Sequence, residues 1–134
     1  MSFRYKSALV TLISMIAVYA WYFARVANGV AREQAVPLLL GTVIALVVVL
    51  VIGHILLAAT SPDCHAPMDE RERAIDRRAT AVGYYLLIVA ALAAAALVHV
   101  GAGASRMANA ILLAIVIAEC GRQAMFLALH HRTL

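Results

Sequence analysis

Charged residues are scarce in this sequence, at 13% where soluble domains carry about a quarter. The deficit argues against a water-soluble fold. With 65% hydrophobic residues and a mean hydropathy of +0.92, a chain of 134 residues owns more apolar surface than so small a domain can bury. Cysteine is limited to Cys64, in a polar stretch, and Cys120, inside an apolar run. Their settings give no reason to expect a disulfide or an oxidising compartment. Catalytic punctuation is missing as well: there is no nucleophile elbow, P-loop or triad pattern, so no enzyme is expected.

No metal and no cofactor are expected either. Asp63, Cys64 and His65, with His130 and His131, offer nitrogen, sulfur and oxygen donors, but no CxxC, HxxxH or HExxH spacing organises them. With the N terminus inside, His54 lies toward the inner side and His99 near the outer end, which is the wrong geometry for a bis-histidine haem. The net charge of +4 does not imply nucleic acid, because basic residues beside apolar runs answer to membrane topology and anionic lipid. No direct nucleic-acid contact is expected.

What is present is four apolar runs, over residues 7–26, 36–59, 79–100 and 107–129. Each holds about 20 residues or more, enough to cross a hydrocarbon core of about 30 Å as a helix. Strands are excluded: the runs lack the alternation of a barrel strand, and an isolated strand would leave its backbone unpaired in lipid. Arg4 and Lys6 before the first run could open a secretory signal. The cluster Tyr19, Trp21, Tyr22 and Phe23 at its far end reads instead as an interfacial belt on a retained helix. The expected fold is all-α, a single transmembrane domain over residues 1–134 in which four helices form two antiparallel hairpins and then a bundle.

With the N terminus inside, the inner basic set is Arg4, Lys6, Arg71, Arg73, Arg77, Arg78, Arg122 and Arg132, and the outer set is Arg25, Arg32 and Arg106. Eight against three favours cytoplasmic N and C termini. The outer connections, 27–35 and 101–106, are short, and short loops place neighbouring helices antiparallel. The inner connection, 60–78, is the one sizeable polar segment.

Within it, Pro62 and Pro67 keep the chain nonhelical until about Met68. Asp69 then reads as an N-cap, with Glu72 completing a capping box. Asp69 with Arg73 and Arg73 with Asp76 are expected ion pairs. No breaker follows, so one helix is expected over residues 70–100, its first two turns standing out of the membrane. The segment reads either as a self-paired helix start or as a docking surface for a cytoplasmic partner, made by Asp69, Glu70, Arg71, Glu72, Arg73, Asp76 and Arg77; lipid headgroups are a further reading.

Inside the membrane, the last run carries Glu119, Arg122 and Gln123, with Phe126 and His130 on the same stripe. Ionisable groups at that depth turn inward and pair. Glu119 and Arg122 are expected to face His54, Tyr84 and Arg77. An acid and a base three residues apart neutralise each other locally, which favours a structural lock over a proton path. Cys120 reads as a small core residue. Ala79, Gly83 and the alanines 93–96 make the third run narrow, suited to close helix packing or a dimer interface.

The stretch Asp69-Glu70-Arg71-Glu72-Arg73, with Ile75, running through Arg77, Arg78 and Ala79 to Tyr84 and Tyr85, and then Glu119, Arg122 and Gln123 in the last run, resembles an uncharacterised family of small bacterial and archaeal integral membrane proteins. The resemblance covers mainly residues 69–132; the first half matches only as two generic spans. Such proteins are often encoded beside a small helix-turn-helix regulator. The resemblance implies a multi-pass protein of the cytoplasmic membrane that binds a DNA-binding regulator as its partner, and it supplies no catalytic residues. Two further functions stay open from the sequence. One is a small transporter acting as a dimer, with Glu119 replacing the first-span carboxylate that four-helix efflux proteins carry. The other is an accessory subunit of a larger membrane complex. The chain is expected to self-associate.

Overall fold

The computed structural model describes residues 3–61 and 67–131, without the side chains of Arg32 and Glu33. Four helices account for nearly all of it: α1 (Phe3–Ala27), α2 (Arg32–Thr60), α3 (Glu70–Ala96) and α4 (Ala104–His131). No strand occurs among the described residues. All four are long and apolar enough to cross a membrane. Pro62, Asp63, Cys64, His65 and Arg132 lie outside the described residues.

α1, α2 and α4 each start three or four residues before their apolar runs, and α3 starts nine before, at Glu70 as expected. α2 starts at Arg32 although its apolar run starts at residue 36. Hydropathy alone does not see a polar first turn. Pro37 sits in the second turn, where its missing N–H removes one backbone bond close to an end that already has unpaired donors. α1 stops at Gly29, whose φ of 85° is left-handed, and whose N–H reaches the Val26 carbonyl at 3.2 Å.

At the start of α3 the Asp69 carboxylate accepts the Glu70 N–H at 2.7 Å, and the Arg73 N–H reaches the Asp69 carbonyl at 3.0 Å. The helix expected over residues 70–100 is present, but its last turn, Leu97–Val100, tightens to a 3-10 turn. Gly101 causes the change: at φ 71° it turns the chain, and its N–H and that of Ala102 cap Val98 and Leu97.

The chain divides into two compact units, residues 1–66 and 67–134. In the first, α1 packs on α2; in the second, α3 packs on α4. Polar and small residues mark both seams. In the first unit Ser7, early in α1, meets His54, late in α2, while Ala17, Val18 and Trp21 border an apolar hollow with Pro37, Leu38 and Gly41. Tyr19 and Tyr22 are buried whereas Trp21 is half exposed, with the Arg25 guanidinium 5.3 Å from its ring centre. The expected aromatic belt is therefore divided between the interior and an outward Trp–Arg pair.

α2 is apolar all round. Among its described side chains only Thr42 and Leu46 are buried, while Val47, Val48, Ile52, Ile55 and Leu56 are exposed. A helix of that kind is stable where its whole surface meets apolar surroundings.

Candidate functional site

The polar groups of the second unit converge where α3 crosses α4. Gly83 of α3 makes the crossing close: a Cβ there would lie 3.0 Å from the Arg122 Cβ and 3.2 Å from the Ala118 carbonyl oxygen. Gly121 of α4 answers from the other side, beneath the Leu86 side chain. Ala79, fully buried, continues the small-residue face one turn earlier.

Around this crossing Arg122 joins two carboxylates. Its Nη2 donates to Glu119 Oε1 at 2.8 Å and its Nε lies 3.2 Å from both Glu119 oxygens. Gln123 Nε2 donates to the same Oε1 at 2.8 Å. The remaining arm, Nη1, reaches across to Asp76 Oδ1 of α3 at 3.7 Å. The first pair is local to α4; the second ties α4 to α3. Side-chain exposures of 34% for Arg122 and Glu119 and 40% for Asp76 put the group at the edge of the crossing. Gln123 and Phe126, lower on the stripe, are buried, and the Phe126 ring stacks on His130 at 6.0 Å.

Within the second unit the residues expected to meet are paired differently. Glu119, Arg122 and Gln123 come together, and their partner from α3 is Asp76. Tyr84 is 60% exposed and packs edge-on against Tyr85, and Arg77 is also exposed. His54 belongs to the first unit. Its Nδ1 lies 2.7 Å from the Leu50 carbonyl, which can only accept, so in the neutral ring Nδ1 carries the proton and Nε2 accepts from the Ser7 hydroxyl at 2.9 Å. Ser7 also accepts at its carbonyl from Thr11. We expect Ser7→Ala to lower stability by about 0.6 kcal/mol, the usual worth of an interhelical hydrogen bond in a membrane. The change is read as a small drop in thermal midpoint in detergent, and an unchanged midpoint would remove the bond from the seam's energetics.

The charged start of α3 is sorted by helical periodicity. Ile75 and Ala79 are buried against the packed side, and Glu72 and Asp76 lie beside them, half exposed. Glu72 shares a polar hollow of about 280 Å³ with Asp69, Arg71, Ile75 and His130. On the outer side Glu70, Arg71, Arg73, Arg77 and Arg78 are exposed. The two expected ion pairs of Arg73 do not form: the Asp69 carboxylate caps the helix and Asp76 turns to Arg122. Residue spacing identifies neighbours along one helix and is blind to a stronger partner on another.

Cys120 is a half-buried free thiol; Cys64 lies outside the described residues. Among the described residues no group of three His, Cys, Asp or Glu side chains gathers as a metal site would require. No family model, curated protein or solved structure matches the chain.

Proposed function

We propose that the chain is a four-span protein of a bacterial or archaeal cytoplasmic membrane, arranged as two antiparallel hairpins with both termini inside. In this reading it is a membrane-held regulator that binds a helix-turn-helix transcription regulator through the start of α3. The observation that carries the proposal is the length of α3. Counting its 3-10 turn it has 31 residues, about 46 Å of helix, against a hydrocarbon core of about 30 Å. Its first ten residues or so stand clear of the hydrocarbon core as a rigid charged rod, with Glu70 and Arg71 at the tip. A rigid, continuous helix presents those groups at low entropic cost to a docking protein.

Topology is supported by the eight-to-three division of basic residues and by the four-residue and three-residue turns within the helix pairs, 28–31 and 101–103. Self-association is supported by the outward apolar surface of α2. The transport reading needs a carboxylate free to exchange its partner, and the geometry of Glu119, engaged by Arg122 and Gln123, supports a lock instead.

Affinity purification of the tagged chain from its native membrane in mild detergent tests the reading. A small DNA-binding protein is expected in stoichiometric amount, and the double variant Glu70→Lys, Arg71→Glu should lose it. A wild-type chain that purifies alone, or a variant that retains its partner, sinks the docking face.

A further inference from the structure

The outer face of α3 is basic although the segment as a whole is mixed. Three of its four acids are taken up elsewhere: Asp69 caps the helix, Asp76 bonds Arg122, and Glu72 borders the hollow beside His130, which leaves Glu70 on the outer side. Among the described residues Arg73, Arg77 and Arg78 have no carboxylate within ion-pair distance. All three are exposed and surround Ala74, whose single methyl leaves space between them. Glu70, Arg73, Ala74 and Arg77 border a shallow recess of about 270 Å³.

We propose that this recess holds the phosphodiester headgroup of an anionic phospholipid. The inference rests on membrane insertion and is independent of the protein partner. Depth is the first argument. Arg77 and Arg78 immediately precede Ala79, where the apolar run begins, so they lie at headgroup level; Arg73 is about 6 Å farther out. Chemistry is the second. Guanidinium groups match the paired oxygens of a phosphate in a fork, and three of them without an internal counter-ion are complementary to net negative charge. Position of the acid is the third. Glu70 stands about 10 Å waterward of Arg77, at the open end of the recess, and leaves the membrane-facing end basic. A phosphate bound there, with its acyl chains beside the apolar run, would fix how far α3 protrudes.

Each arginine near an anionic surface contributes roughly five-fold in affinity, so a preference of about ten-fold or more is expected after screening by salt. The full chain is equilibrated with equimolar phosphatidylglycerol and phosphatidylcholine in detergent, and retained lipid is counted by native mass spectrometry. Phosphatidylglycerol should be enriched about ten-fold on the wild type. The enrichment should vanish in Arg73→Gln, Arg77→Gln, Arg78→Gln and survive in large part in the corresponding triple lysine variant. Ala74→Glu, on an exposed position with every arginine kept, should reduce it on its own. Inorganic phosphate at millimolar concentration should leave the lipid in place.

Equal retention of the two lipids by the wild type overturns the proposal, as does enrichment that survives both the glutamine triple and Ala74→Glu. Displacement by inorganic phosphate would make it a site for the free ion and also overturn it. Loss of the co-purifying protein in the triple variant, with no lipid preference in the wild type, would assign the basic face to an acidic protein surface. Loss of the partner in the Glu70, Arg71 double variant with lipid enrichment intact would separate the two sites.

Discussion

Gly83→Leu should unfold more easily than the wild type by about 1–3 kcal/mol, the usual cost of overpacking a close contact. The reason is which atoms surround the missing Cβ. The Ala118 carbonyl, at 3.2 Å, belongs to the α4 backbone and cannot move without carrying the helix with it. A leucine side chain then separates the axes and pulls Arg122 away from Asp76, already at 3.7 Å. Gly83→Ala should fall in the same direction but less far. Gly121→Ala should be milder than Gly83→Ala, since the group in its way is the mobile end of Leu86. Gly41 supplies the control of opposite sign. Nothing lies within 4 Å of its would-be Cβ, so Gly41→Ala should be neutral or stabilising by up to about 1 kcal/mol through helix propensity. Thermal or denaturant unfolding in detergent reads the four variants together. If Gly83 and Gly41 behave alike, the α3–α4 crossing is not set by close backbone approach.

The contrast also shows what the sequence could and could not reveal. Four helices were legible because apolar runs of that length leave no alternative in this composition. The polar start of α3 was legible from its cap, but that of α2 was not, because Arg32 to Gln34 continue the helix without any hydropathy signal. The stripe Glu119, Arg122, Gln123 was legible as i, i+3, i+4. Asp76 was read as the partner of Arg73, yet a signal for its inward side existed: it lies one residue from Ile75 and three from Ala79, both on the buried face. The Ser7–His54 bond was missed in a similar way. Ser7 opens the first apolar run and His54 lies near the end of the second, and equal depth in a helix pair would match them. The basic outer face of α3 emerges only when the helix separates charges that alternate in sequence.

Arg122→Gln should carry the second large effect, and its rescue is the sharper test. The guanidinium engages Glu119 through Nε and Nη2 and Asp76 through Nη1, so removing it leaves two carboxylates near one another without their cation. Breaking a fully buried pair from one side costs about 3–5 kcal/mol. Here each side chain keeps about a third of its surface, and solvent screening lowers the expectation to about 1–3 kcal/mol. Glu119→Gln alone should cost less, because Arg122 keeps Asp76 and the new amide oxygen can still accept from it. Adding Glu119→Gln to Arg122→Gln should recover part of the loss, giving a favourable coupling of about 1 kcal/mol in a double-mutant cycle of unfolding free energies. Asp76→Asn should couple to Arg122 as well, and because that contact joins α3 to α4 its loss should weaken the helix pair as the α4-internal contact does not. A cycle without coupling at either acid would show that Arg122 holds nothing in place. Strong coupling to Asp76 would make this arginine the bolt that sets how the charged start of α3 is held against α4.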